Sequence, residues 1–201
     1  PPKGMFVEAF GDFRTLWWDP QNPDRIIAGS DGGLNISYDR GKTVDHYLNL
    51  PLGEIYAVGA DMEDPYNIYG GFQDHDSWKG PSNGWSGRVS VSDWVTVGVG
   101  DGMYNAVDPT DSRWLVNTRE FGSHRRVDQK LRTMTDIMPR RPQGEPPLRW
   151  SWIAPIVLSP HNPAIVYTGA QVLLRSLNRG DSWQEISADL TTNDPDKIFG
   201  R

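Results

Sequence analysis

A chain of 201 residues can bury one sizeable hydrophobic core, and a formal charge of −6 sets aside any global attraction to nucleic acid or to an anionic membrane. The sequence has no cysteine, which excludes disulfides and thiolate metal sites, and no apolar run approaches the ~20 residues of a membrane span. Nine Trp, seven Tyr and six Phe set among twenty-one Gly and sixteen Pro favour many short strands joined by tight turns over long helices.

The chain opens Pro1-Pro2-Lys3-Gly4, with neither a start Met nor a signal sequence, so a processed or excised piece is expected. The first legible unit is Asp19-Pro20-Gln21-Asn22-Pro23, whose Asp-Pro and Asn-Pro steps force a turn. The β-branched residues that follow, Ile26-Ile27-Ala28-Gly29, start a strand that ends at glycine. A second strand, Gly33-Leu34-Asn35-Ile36-Ser37, alternates apolar and polar positions as a half-buried strand requires. It leads into the turn Ser37-Tyr38-Asp39-Arg40-Gly41-Lys42-Thr43-Val44, where the Asp39 carboxylate can accept main-chain N–H groups and Gly41 can take a positive φ.

The turn-and-strand motif returns three times. Asp64-Pro65-Tyr66-Asn67-Ile68-Tyr69-Gly70-Gly71 is the most diverged copy, and Asp108-Pro109-Thr110-Asp111-Ser112-Arg113-Trp114-Leu115-Val116 is a reduced one. Ser159-Pro160-His161-Asn162-Pro163 restores the full pattern, followed by the apolar run Val172-Leu173-Leu174 and a second copy of the polar turn, Ser176-Leu177-Asn178-Arg179-Gly180-Asp181-Ser182-Trp183. Trp183 is expected to be buried between sheets. The copies are 42, 47 and 51 residues apart, near the ~40–50 residues of a four-stranded propeller blade and far from the ~20–34 of most solenoid repeats. The expected fold is therefore all-β: about four four-stranded antiparallel β-propeller blades, part of a larger propeller, with repeat units at 5–50, 51–97, 98–148 and 149–201 and equivalent strands starting near Ile26, Ile68, Leu115 and Val166.

Three acidic loops carry the candidate chemistry. Asp31 lies in Ser30-Asp31-Gly32-Gly33; Asp74, His75, Asp76 and Trp78 lie in the segment 72–80; Asp101 and Tyr104 lie in the glycine-rich segment 98–104. Glycoside hydrolysis needs two carboxyl groups, ~5–5.5 Å apart for retention or ~6.5–9.5 Å for inversion. Asp31, Asp74 and Asp101 fall at equivalent blade ends and are the catalytic candidates, with His75, Asp76, Trp78, Trp85 and Tyr104 as ligand-binding candidates and the indoles as sugar platforms. Each loop also has an architectural reading, because strand-connecting turns select Asp-Gly for φ > 0 alone. His46, His75, His124 and His161 are scattered without metal-ligand spacing, so neither a metal nor a cofactor is expected. The basic stretch Arg119, Arg125, Arg126, Lys130, Arg132, Arg140, Arg141 and Arg149, interleaved with acids, reads as a solvated face. The Pro-rich run after Arg141 reads as a connection between blades.

The polar turn resembles the Asp-box, Ser-x-Asp-x-Gly-x-Thr-Trp, with Ser37, Asp39, Gly41 and Thr43 in the first copy and Ser176, Asn178, Gly180 and Trp183 in the second. Val44 stands in place of the usual Trp, and Asn178 in place of the usual Asp. Further stretches, AGSDGGLNISYDRGKT (28–43), LPLGEIYAVGADMEDPYNIYGGFQD (50–74), VGVGDGMYNAVDPTD (97–111), EPPLRWSWIAPIVLSPHNP (145–163) and ISADLTTNDPDKI (186–198), resemble the bacterial sortilin-like or glycosyl-hydrolase BNR-repeat proteins. The resemblance implies a secreted or periplasmic propeller with more blades, in which the boxes lie at the blade periphery and are structural. The segment around Asp31 is similar to the Asp-x-Gly-Gly segment that supplies a catalytic carboxylate in xyloglucan-cleaving propellers. His75-Asp76 replaces the Asn-Gly such proteins tend to carry, and Val99 interrupts their glycine run. Since a shared fold is weak evidence of chemistry, the leading expectation is a non-catalytic extracellular interaction or binding module for a protein or glycan, with no nucleic-acid partner and no membrane insertion. Its apolar terminal faces, next to Gly4–Phe10 and beyond Asp189, would be covered by a homodimer or by the remainder of a parent propeller. The alternative is a glycoside hydrolase or carbohydrate-binding propeller acting through paired Asp carboxylates.

Overall fold

The computed structural model describes residues 11–47, 49–50 and 52–198, so the segment Gly4–Phe10 lies outside the described residues. The chain divides after Leu52 into two units. The first holds β1 (Phe13–Trp18), β2 (Ile26–Ser30), β3 (Gly33–Ser37) and β4 (Asp45–Tyr47), paired antiparallel in chain order.

The second unit repeats that meander three times: β5 (Ile55–Ala60), β6 (Asn67–Phe72), β7 (Ser77–Pro81) and β8 (Val95–Gly98); β9 (Asn105–Val107), β10 (Trp114–Arg119), β11 (Ser123–Asp128) and β12 (Thr133–Asp136); β13 (Ile156–Leu158), β14 (Val166–Gly169), β15 (Leu173–Ser176) and β16 (Gln184–Glu185). Among the described residues the helical content is two single 3-10 turns, Val91–Asp93 and Glu120–Gly122. The all-β expectation of four four-stranded antiparallel propeller blades thus holds.

The repeat has a mechanical cause that extends beyond the Pro steps. Seven residues before each of Ile26, Ile68, Leu115 and Val166 stands a buried polar residue: Asp19, Asp61, Asp108 and Ser159. Its N–H donates to the carbonyl six residues on, at 3.1 Å (Arg25), 3.2 Å (Asn67), 2.9 Å (Trp114) and 2.9 Å (Ile165). Its side-chain oxygen accepts the amide two residues on, from Gln21 (2.9 Å), Glu63 (3.3 Å), Thr110 (2.9 Å) and His161 (3.3 Å). The connection from first to second strand is thereby closed without leaving a buried main-chain donor unpaired. In the diverged copy Asp64-Pro65 matches Asn22-Pro23, and Asp61 takes the part of Asp19.

Packing in the second unit follows from strand alternation. Successive side chains of β10 point to opposite faces, so Leu115 joins Tyr69, Val97, Val107 and Val127, while Val116 joins Ile137, Ile156 and Val166. One strand therefore feeds the cores on both sides of its sheet. Close approach of main chain completes the first interface: a Cβ on Gly71 would stand 2.0 Å from the Met103 carbonyl. In the first unit Ile26 and Ala28 form the core with Val44 against them, so the residue standing in place of Trp still packs inward.

The two polar turns are built alike. Asp39 Oδ1 accepts the Thr43 N–H (2.8 Å), Ser37 Oγ accepts the Gly41 N–H (2.7 Å), and Gly41 has φ 81°. The Thr43 amide bond and hydroxyl hold the Asp39 carboxyl below its usual value. At the second turn Asn178 Oδ1 accepts the Ser182 N–H (2.9 Å) and Ser176 Oγ the Gly180 N–H (2.8 Å), so an amide oxygen serves where a carboxylate is usual. Trp183 is half-buried. It packs against the core around Ile137 and its indole N–H donates to the Ile137 carbonyl at 2.7 Å, at the outer margin of the interface between third and fourth sheets. Trp183→Ala is expected to cost about 3 kcal/mol, the low end for large aromatic truncations because the ring is only half-buried. A urea melt with unchanged m-value reads this directly, and a loss below about 1 kcal/mol would show that the indole contributes little.

Candidate functional site at the loop end of the second unit

Strand direction sends five connections of the second unit to one end: β6–β7, β8–β9, β10–β11, the long β12–β13 connection over 137–155, and the short β14–β15 turn. The β6–β7 connection is a tight hairpin in which Asp74 (φ 58°) and Asp76 (φ 67°) take left-handed conformations that short polar side chains tolerate. The Phe72 N–H donates to the Asp76 carbonyl at 3.0 Å and closes the hairpin.

Carboxylates then tie this hairpin to the β8–β9 loop. Asp76 Oδ1 accepts the Gly100 N–H (2.9 Å), and Asp101 Oδ1 accepts the Asp74 N–H (2.9 Å). Two further main-chain bonds, Asp76 N–H to Gly100 O (3.0 Å) and Gly102 N–H to Phe72 O (2.9 Å), make the two loops one rigid body.

Glu120 and Arg119 continue the surface. The Arg119 guanidinium takes the Glu120 carboxylate with both arms, at 3.2 and 2.6 Å. Burial works to raise the Glu120 carboxyl, but the bond from Arg119 and main-chain donors at Glu120 and Asp101 outweigh it and hold the group below its usual value. The same Glu120 bond, reinforced by Asp101 and Asp76, raises Arg119.

The long connection closes the circuit. Phe121, at φ 54°, donates its N–H to the Trp152 carbonyl (3.1 Å), and its ring meets the Trp152 ring edge-on with centroids 4.9 Å apart. The Trp152 indole N–H donates to the Tyr56 hydroxyl (3.2 Å), which donates to Gln73 Oε1 (3.2 Å), and Gln73 Nε2 donates to Asp74 Oδ2 (3.3 Å). Carboxylates and aromatics drawn from three blades thus meet at one end of the unit.

Buried contacts anchor this connection from below. Trp150 fills the space beside Gly122, where a Cβ would lie 2.2 Å from the ring, and stands edge-on to His124 at 5.4 Å. His124 is fully buried, with Nε2 2.7 Å from Thr168 Oγ1 and no partner for Nδ1, and burial pushes its pKa down to about 4. Gln171 accepts the Arg149 N–H (2.7 Å) on its side chain and the Leu190 N–H (2.8 Å) on its main chain. Arg149 also reaches Asp189 at 2.9 Å.

Of the residues singled out from the sequence, Asp74, Asp76 and Asp101 come together here. His75 is exposed beside them, its Nδ1 2.9 Å from the Gln73 carbonyl. Tyr104 immediately precedes β9, its N–H donating to Thr118 Oγ1 at 3.0 Å. Trp78 sits within β7, and its indole N–H donates to the His75 carbonyl at 2.6 Å. Trp85 is fully exposed in the β7–β8 connection, at the opposite end of β7 from Asp74. Asp31 belongs to the first unit, where Arg14 takes it bidentately at 2.9 and 2.7 Å. In the basic stretch Arg119, Arg126, Arg140, Arg141 and Arg149 each pair with a carboxylate.

Sequence reasoning missed Tyr56, Phe121 and Trp152. The one usable signal was the pair of tryptophans, Trp150 and Trp152, closing a Pro-rich run otherwise read as plain connection.

No family model matches the chain, and no curated protein matches it. Solved structures that resemble it include the GH74 xyloglucanase from Xanthomonas campestris (16% identity, TM-score 0.47), of which 88% of this chain covers 30%. Another is the GH74 enzyme of Niastella koreensis (15%, TM-score 0.46), with 86% of this chain covering 29% of that one. A third is an auxiliary nutrient binding protein from Bacteroides thetaiotaomicron (14%, TM-score 0.46), with 90% of this chain covering 43%. The chain therefore spans less than half of each of these proteins.

The buried imidazole sets a pH dependence. The folded value of about 4 lies below the ordinary 6.5, so the full stability is present above pH 6.5. Between 6.5 and 4 the unfolded chain binds a proton that the folded chain refuses, and stability falls by about 3 kcal/mol. Urea midpoints at about pH 7 and about pH 4.5 are expected to show this extra loss in the native chain and not in His124→Gln; equal losses would remove His124 as the cause.

Proposed function

We propose that the chain is a non-catalytic, extracellular propeller module that binds a protein or glycan ligand at the loop end of its second unit. The carrying observation is how the candidate carboxylates are used. Asp76 and Asp101 each accept a main-chain N–H of the neighbouring loop, and Asp31 is held bidentately by Arg14. A general acid or base must exchange a proton during turnover, whereas a carboxylate that bridges two loops serves best when permanently charged. The polar turns around Asp39 and Asn178 are read in the same way, as architecture. A secreted or periplasmic setting rests on the sequence resemblance alone.

A second reading, a glycoside hydrolase or carbohydrate-binding propeller using Asp31, Asp74 or Asp101, is favoured by one feature: an exposed indole, Trp152, stands in the same circuit of contacts as the carboxylates. Reducing-end release from neutral and acidic polysaccharides separates the two. No turnover is expected, together with saturable binding on protein or glycan arrays. Turnover abolished by Asp101→Asn, which preserves the acceptor for the Asp74 N–H, would establish the hydrolase instead.

A further inference from the structure

We propose that the chain pairs with a second copy of itself through the end of the second unit opposite the Asp76 hairpin, each copy seating its Trp85 in an acid-rimmed cleft of the other. That end gathers the β5–β6, β7–β8 and β9–β10 connections, each of which joins a strand running away from the Asp76 end to one running back. The pairing does not depend on what the Asp76 end binds.

The β7–β8 connection builds a knob. Gly87 donates its N–H to the Gly84 carbonyl (2.8 Å), and Ser86 Oγ donates to the Arg88 carbonyl (3.2 Å). A Cβ on Gly84 would stand 2.2 Å from that same carbonyl, so the loop closes tightly on itself and sets Arg88 next to the turn that carries Trp85. Ser90 then gives its N–H and its hydroxyl to Asp93 Oδ2, at 2.7 and 2.9 Å, which ties down the returning arm. At the tip Trp85 is 108% exposed, so both ring faces and the indole N–H stand in water. A ring bare on both sides gains most from a socket that surrounds it, whereas a flat ligand would cover one face. Arg88 is exposed as well and has no ion-pair partner among the described residues; Asp93, the one acid in the segment 82–94, is taken by Ser90.

The socket lies at the same end. Met62, Glu63, Pro109, Asp111 and Ser112 help to line a cleft of about 220 Å³, and ~150 Å³ is enough to take a benzene ring. The Ser112 hydroxyl donates to Glu63 Oε1 and joins the two loops that form its walls. Its outer neighbour is the knob's base, since the Tyr66 carbonyl accepts the Ser82 N–H at 2.9 Å. Among the described residues neither Glu63 nor Asp111 is ion-paired, and the Arg113 guanidinium is committed with both arms to Asp128, at 2.9 and 2.6 Å. The two surfaces are therefore complementary. The knob offers a bare indole, its N–H and an uncompensated cation; the socket offers Met62 and Pro109 as apolar contact and two carboxylates as acceptors. An indole so exposed fills no cleft of its own chain. Because knob and socket share one end, a two-fold axis there satisfies both pairs at once and closes the assembly at two copies. The Asp76 ends then face outward, so the dimer presents two of them to a multivalent ligand.

Sedimentation velocity on the full chain from about 1 to about 200 μM is expected to show a reversible monomer–dimer equilibrium. Trp85→Ala should weaken it at least ~30-fold, and Arg88→Glu or Glu63→Lys about 10-fold each. At about 1 μM, where the native chain is monomeric, Trp85→Ala and Arg88→Glu should keep the native urea midpoint, which separates lost pairing from lost folding. The deciding arm mixes Arg88→Glu with Glu63→Lys. Each variant associates poorly alone, but in the mixed dimer both contacts join opposite charges, and association at least ~5-fold tighter than that of either variant is expected. A chain that stays monomeric throughout, a dimer indifferent to Trp85→Ala, or a mixture no tighter than its parts would overturn the proposal. Open-ended growth with concentration would overturn it too, because a head-to-tail contact does not close.

Discussion

Each blade depends on a single buried side-chain oxygen just after its first strand. Asp19, Asp61, Asp108 and Ser159 occupy that place, and each accepts the main-chain amide two residues on, which holds the sharp reversal closed. The reversal in turn sets where the central strand begins, and with it which side chains face which neighbour. At β10 this decides that Leu115 serves one core and Val116 the other.

Acidic residues carry much of this mechanical load, which bears on how the chain can function. Asp108 is almost wholly buried, and burial alone would raise its carboxyl; the Thr110 bonds and the Arg179 guanidinium outweigh that and keep it charged. Asp128 is held near pKa 2, chiefly by the Arg113 guanidinium. Asp76 and Asp101 do for two loops what Asp108 does for a turn. Carboxylates in such a chain are therefore poor evidence of hydrolysis by themselves, and the aromatic surface beside them is the more informative feature.

The loop end also shows how a long connection acquires a definite shape. The segment 137–155 contains no strand, yet Trp150 is set into the gap beside Gly122, Arg149 is bound to Gln171 and Asp189, and Trp152 reaches Tyr56. These anchors come from different blades, so the presentation of Trp152 depends on how the blades of this unit pack together. A substitution at Gly122 or Gln171, neither of which needs to touch a ligand, would move the indole.

Local chemistry determined much of this protein. Pro steps, β-branched runs and the serine, aspartate and glycine turns act over a few residues, so four meanders, strand starts near Ile26, Ile68, Leu115 and Val166, and the internal bonding of the Asp39 turn were legible in the order of residues alone. Asp61 escaped notice because the diverged copy keeps its Pro step three residues later, and only the hydrogen bonds show which aspartate closes the turn. What tertiary structure decided is the company each loop keeps. Trp85 and Trp78 looked like platforms because they follow the acidic loop in the chain, but a strand carries direction, and β7 takes Trp85 to the far end while binding the Trp78 indole to its own hairpin. Tyr56 and Trp152 stand 96 residues apart, and no pattern of spacing reports their contact. It arises because successive blades of the second unit send the same kind of connection to the same end, a consequence of sheet packing that no single stretch of sequence contains.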